Sequence, residues 1–280
     1  MPLLKTLTAI CGVFGEGRSP ALLLNLIAPR RGHRILRDIA YGEGARGRLD
    51  LYIPDRVQAP APVVLFFYGG AFQAGWKNEY RIVGEALTSA GVIVAVADYR
   101  IHPKGRYPDF LQDGAKAFAA LRRIAATHDG DPERIFLSGH SAGAYIAVML
   151  ALDARYVRAE GEDVTAIRGV IGIAGPYDFL PILDPTLIAI FGGPNRPETQ
   201  PVYYAGGKKP PMLLATGAND GRVQVKSTRN LAALLRAAGS EVEERVYPDV
   251  GHMGIILSLA PLFRRRAPLR ADIVRFVQSH

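Results

Sequence analysis

A single cysteine, Cys11, stands among 280 residues, which excludes an intrachain disulfide. Nothing therefore argues for an oxidising compartment, and a cytoplasmic location is the expectation. No apolar run approaches the roughly 20 residues of a membrane-spanning helix. The opening stretch "MPLLKTLTAICGVFG" has the lysine and short apolar run of a signal peptide, but Gly12 and Gly15 interrupt it. A lipoprotein signal would also want a small residue before the cysteine, and Ile10 stands there. Residues 1–34 are instead expected to form a helical segment packed on a domain spanning 35–280. Internal repeats of solenoid length and low-complexity tracts are lacking too, which excludes repeat arrays and disorder. Acidic residues are in the minority. The net charge is +8, with basic clusters at 29–34 ("PRRGHR") and 263–266 ("FRRR"). No nucleic-acid motif accompanies them, so they are expected to be solvated faces, with contact to an anionic membrane surface as the lesser alternative.

What the chain does have is alternation. Strand-like runs cover 34–41, 48–54 and 62–68, and from there strands and amphipathic segments take turns. Helices are expected at 78–91, 109–130, 141–156, 225–239 and 269–279, with strands at 92–99, 134–140, 167–176, 211–219 and 241–248. That is the pattern of an α/β protein whose mostly parallel central sheet carries helices on both faces. Residues 177–210, rich in proline and glycine, break the rhythm and are expected to form a small cap insertion.

Four stretches carry the chemistry. "GHSAG" (139–143) fits G-x-S-x-G where a strand meets a helix, so Ser141 would sit on a sharp turn with Gly139 and Gly143 relieving collisions. A serine hydroxyl needs a base, and His252 in "YPDVGHMG" follows the last sheet strand on the loop before the C-terminal helix. The adjacent His140 is expected to be structural. An orienting acid should lie between serine and histidine. Asp220 in "GANDGRV" is preferred to Asp178 in "AGPYDF", which also ends a strand, because its strand–G-x-x-D–V spacing suits the role. In "LFFYGGAF", Gly69 and Gly70 end a strand they would otherwise weaken. Together with Ala142, their bare N–H groups would form an oxyanion hole.

These stretches, with "VADYRIHPKGRYPDFLQD", resemble the α/β-hydrolase superfamily. Within it they are similar to the carboxylesterase group of feruloyl/acetyl-xylan esterase-like, kynurenine formamidase-like and hormone-sensitive-lipase-like enzymes. The resemblance covers roughly residues 35–275. It implies an α/β-hydrolase fold and a Ser141–His252–Asp220 triad acting on a small-molecule ester without cofactor or metal. Short-chain or aryl esters are expected, with Phe179, Leu183 and Phe191 as acyl-pocket walls. The alternatives are an arylformamidase and a noncatalytic binding protein on the same fold. Tyr68 departs from the commoner pattern, which has histidine before the glycines, and favours the feruloyl/acetyl-xylan esterase-like form. Asp98-Tyr99-Arg100 resembles a segment that braces the oxyanion loop.

Overall fold

Three strands open the computed structural model, which describes residues 32–280: β1 (His33–Ala40), β2 (Arg48–Pro54) and β3 (Ala61–Phe67). Then α1 (Arg81–Thr88), β4 (Ile93–Ala97), α2 (Asp109–Ala125), β5 (Gly130–His140) and α3 (Ala142–Leu152) alternate. After a short α4 (Arg155–Ala159) come β6 (Ile167–Ile173), α5 (Pro185–Phe191), β7 (Met212–Gly217), α6 (Val225–Ala237) and β8 (Val242–Tyr247). The short α7 (His252–Leu257) and α8 (Leu269–Ser279) complete the described chain. The expected N-terminal helical segment falls almost entirely on residues 1–31, outside the described residues, as does Cys11.

The strands form one sheet in the order β1-β2-β4-β3-β5-β6-β7-β8. β2 runs antiparallel to both its neighbours, and every pair from β4 to β8 is parallel. The chain steps from β3 to β4 through α1 and returns past β3 to β5 through α2. With right-handed crossovers those two helices must lie on opposite faces. Accordingly α1 packs with α8, and α2 with α3. Covered on both faces, the central strands read as continuous apolar runs, and Val63–Phe67 and Ile93–Ala97 are wholly or almost wholly buried. The edges are polar. β1 carries Arg34, Arg37 and Asp38 with a break in register between Leu36 and Ile39, and β8 carries Glu243, Glu244 and Arg245. Charge and irregularity of this kind discourage edge-to-edge pairing.

Most expected elements stand within a few residues of their predicted bounds, and three differences have local causes. The helix expected over 141–156 stops at Leu152, because the Asp153 carboxylate captures both the backbone N–H and the guanidinium of Arg155. The expected cap contains α5, started by Asp184, whose carboxylate accepts the Leu187 N–H, with Pro185 at the first helical position. Before α1 the expected first turn is a 3₁₀ turn over Lys77–Tyr80.

Candidate active site

Sheet register assembles the site. β3 and β5 are parallel neighbours with Phe67 opposite Gly139, so Gly69 and Ser141, each two residues further on, leave the sheet side by side. A Cβ built on Gly69 would stand 3.0 Å from the Ser141 Cβ and 2.9 Å from the His140 ring. This is the C-terminal end of the parallel strands, where the strand order reverses and open α/β sheets bind ligands.

Ser141 has φ 56° and ψ −120°, a conformation that costs a non-glycine residue about 1–3 kcal/mol. Its surroundings hold it there. Its N–H donates to the Ile173 carbonyl at 2.8 Å, and its carbonyl accepts the Tyr145 N–H at 3.1 Å. The flanking glycines allow the backbones to close up. A Cβ on Gly139 would fall 2.2 Å from the Gly143 carbonyl carbon, and one on Gly143 only 2.0 Å from the Phe67 oxygen. Gly143 is therefore required by β3 as much as by the turn itself.

β7 and β8 deliver the other two side chains. Asp220 follows β7, and its Oδ1 accepts the N–H groups of Arg222 and Val223, each at 2.9 Å. The other oxygen, Oδ2, lies 2.8 Å from His252 Nδ1, and His252 Nε2 lies 2.9 Å from Ser141 Oγ. Those partners assign the tautomer: Nδ1 carries the proton, and Nε2 accepts from the hydroxyl. Burial alone would raise the Asp220 carboxyl, but hydrogen bonds from His252 and two backbone amides hold it below its ordinary value. His252 does not sit on a plain loop; it is the first residue of α7. The loop before it is zipped to β7, with Ala218 N–H donating to the Tyr247 carbonyl and Asn219 N–H to that of Val250. An imidazole so placed can take the hydroxyl proton while the carboxylate stabilises the cation that forms.

Asp178 stands elsewhere. Its carboxylate accepts from Asn230 Nδ2 at 2.6 Å, while the bond to His252 comes from Asp220. His140 is buried beneath His252, with ring centroids 4.9 Å apart. Its Nε2 donates to the His252 carbonyl at 3.1 Å, and its Nδ1 has no hydrogen-bond partner. Burial, then the neighbouring His252, pushes its pKa down to about 3, so it stays neutral.

The glycine loop is aimed from below by tyrosines. Tyr99 Oη donates to the Tyr68 carbonyl at 2.7 Å and Tyr80 Oη to the Gly69 carbonyl at 3.4 Å. In a trans peptide the N–H points opposite its carbonyl, so these bonds turn the Gly69 and Gly70 amides away from the core. Gly70 has φ 150°, and a Cβ there would meet the Ala74 oxygen at 2.0 Å. Ala71 and Phe72 follow with φ 51° and 61°, unusual for residues with side chains. Phe72 anchors them, buried against Phe110, Tyr145 and Phe191. Ala142 opens α3, where backbone N–H groups have no acceptor within the helix. Of the expected pocket walls, Phe191 is buried and Phe179 half-buried, but Leu183 is 83% exposed and is no wall in this structure. Among the described residues no group of three or more His, Cys, Asp or Glu side chains is placed to hold a metal ion.

Arg46 escaped sequence reasoning. It lies on the β1–β2 turn, yet it reaches beneath the glycine loop and bonds Tyr68 Oη at 2.6 Å. The buried phenol of Tyr68, which needs a partner, was the available signal.

Fold and site geometry together define an α/β-hydrolase. Solved structures bear out the architecture. A truncated carbohydrate esterase from gut microbiota superposes with a TM-score of 0.77 at 18% identity, covering 90% of this chain and 98% of its own. An esterase from Pyrobaculum calidifontis gives 0.77 at 22% identity, covering 92% and 90%. The chain belongs to the BD-FAE family, whose model matches residues 49–235. Among curated proteins it is 30% identical to a probable isoprenylcysteine alpha-carbonyl methylesterase from Oryza sativa subsp. japonica. That match covers 88% of this chain and 64% of the relative, so the chain spans less than two thirds of that relative's length. A kynurenine formamidase from Danio rerio is 26% identical over 80% of this chain and 76% of its own.

Proposed function

We propose that the protein is a serine hydrolase of carboxylic esters, in which Ser141 attacks the carbonyl and forms an acyl-enzyme. One observation carries the reading: His252 bridges Ser141 Oγ and the Asp220 carboxylate at 2.9 and 2.8 Å, on a serine held in a strained strand-to-helix turn. In this reading His252 takes the Ser141 proton as the tetrahedral intermediate forms, then gives it to the departing alkoxide. Water repeats the sequence and releases the acid. The amides of Gly69, Gly70 and Ala142 stabilise the oxyanion, a single donor being worth roughly 3 kcal/mol.

The acyl group is short or aromatic. Phe72, Phe110, Tyr145 and Phe191 pack edge-to-face or stacked between the glycine loop, α2, α3 and α5. Tyr145 Oη also donates to the Thr199 carbonyl at 2.6 Å, tying α3 to the 177–210 segment. That aromatic cluster fills space a long acyl chain would need. The formamidase relative supports hydrolysis of an aryl formamide as a second reading, since the same three side chains serve both reactions. A noncatalytic role is disfavoured, because the three side chains are in hydrogen-bond contact.

The test is a panel of p-nitrophenyl acetate, butyrate and palmitate with N-formylkynurenine, on wild type and Ser141→Ala. The reading expects acetate or butyrate to turn over fastest and Ser141→Ala to be inert. Palmitate turnover equal to that of acetate would refute the short-acyl pocket. A formamide preferred over every ester would move the assignment to the second reading.

A further inference from the structure

We infer that Arg46 is a positioning residue that holds the glycine loop in its donor geometry from beneath, by closing residues 68–77 into a ring. The inference rests on the reading of Gly69 and Gly70 as oxyanion donors.

The guanidinium of Arg46 is half-buried, and its Nη1 donates only to uncharged oxygens: Tyr68 Oη at 2.6 Å, the Gly75 carbonyl at 3.0 Å and the Tyr99 carbonyl at 3.4 Å. No carboxylate of the described residues pairs with it, though Asp98 lies near enough to feel its charge. Its flat face lies 3.8 Å from the ring centroid of Trp76, which adds a cation–π contact. One side chain thus touches both ends of the loop. The ring is completed at Asp98. The Tyr68 hydroxyl, which accepts from Arg46, lies close to the Asp98 carboxylate, whose Oδ1 accepts the Lys77 N–H at 2.8 Å. The Tyr41 hydroxyl lies between the Arg46 and Asp98 carbonyls and fixes the β1–β2 turn to the end of β4.

The position of Gly69 makes this closure matter. It is wedged against His140 and Ser141, and its carbonyl is held by one hydroxyl at 3.4 Å, a weak tether. Without Arg46 the Tyr68 phenol loses its donor, the Gly75 carbonyl loses its partner, and the backbone at Gly70 and Ala71 can relax from φ 150° and 51° while Phe72 stays anchored. Relaxation swings the amides away from where the oxyanion forms while leaving the substrate pocket in place. This structure also explains Tyr68: its buried hydroxyl accepts from the Arg46 cation, close to the Asp98 carboxylate.

The experiment compares wild type with Arg46→Ala, Arg46→Lys and Tyr68→Phe. It reads kcat and KM on p-nitrophenyl acetate, inhibition by a trifluoromethyl ketone that forms a tetrahedral oxyanion on serine, and emission of Trp76, the chain's one tryptophan. Far-UV circular dichroism confirms folding. Arg46→Ala is expected to lower kcat about 30-fold with KM within about twofold, and to weaken the ketone in parallel. Its Trp76 emission should shift to the red. Arg46→Lys, which keeps the charge but lacks the flat face lying over Trp76, should recover part of the loss, and Tyr68→Phe should fall between. If Arg46→Ala does not fold, the other two variants carry the same split. Wild-type kcat and ketone affinity in the folded variants would overturn the inference alone. A wild type inert toward every ester and amide would overturn the hydrolase reading and this inference with it.

Discussion

Two buried groups at the site titrate against each other, and separating them tests the packing around it. Burial, then the neighbouring His252, holds His140 down at about 3, against 6.5 for an ordinary histidine. Between those values the unfolded chain binds a proton that the folded chain refuses, so this group withdraws stability as pH falls below 6.5. At 1.36 kcal/mol per unit, the loss by pH 4 is about 3 kcal/mol. Asp98 acts in the opposite sense. Burial, outweighing the Lys77 amide and nearby cations, raises its carboxyl to about 6 from 3.8. Here the folded chain holds the proton first, so stability returns as pH falls from 6 toward 4, by about 2 kcal/mol. The two should nearly cancel, and from these groups wild type should lose only about 1 kcal/mol between pH 6.5 and 4. The assay is urea unfolding of wild type, His140→Gln and Asp98→Asn across that range. Asp98→Asn should lose stability steeply on acidification, by about 3 kcal/mol, whereas His140→Gln should gain by about 2 kcal/mol. Only the slopes matter, so a uniform cost of either substitution does not interfere. Three parallel pH profiles would show that neither His140 nor Asp98 couples its titration to folding.

Other outcomes follow from the same geometry. Asp220→Asn leaves His252 in the wrong tautomer and should cost roughly 10⁴-fold in kcat, while Asp178→Asn should stay within about twofold of wild type in the same ester assay. Gly143→Ala would put a methyl 2.0 Å from the rigid Phe67 carbonyl and should abolish soluble expression. Gly161→Ala, with open space around it but φ +79°, should cost only about 1 kcal/mol in a thermal melt.

The proposed reacting groups were legible in the sequence because each sits where a strand ends and where backbone closeness forces a visible choice. Gly139 and Gly143 bracket Ser141, Gly69-Gly70 end β3, and Asp220 and His252 end β7 and β8. Asp220 and Asp178 both follow a buried strand, and only the strand–G-x-x-D–V spacing favoured Asp220; in the structure it is Asp220 that bonds His252. His252 was expected on a loop, and its place at the head of α7 was hidden by a helix only six residues long. Helix α5 was missed although Asp184-Pro185 is a sound start signal, because the surrounding prolines and glycines read as irregular chain. Arg46 was invisible for a different reason. Its turn, "GEGARG", reads as a solvated hairpin tip, and its partners are a phenol and carbonyls rather than a carboxylate. Only the β2–β4 pairing, which carries that turn to the end of β4, brings it under the loop.

A Ser141 nucleophile activated by His252 should react with a serine-directed phosphonate. Treatment with a fluorophosphonate probe, followed by peptide mapping, tests it most directly. Stoichiometric labelling of Ser141 is expected, with none in Ser141→Ala and labelling slowed at least about 100-fold in His252→Ala. Unlabelled wild type, or a label on any other residue, would contradict it.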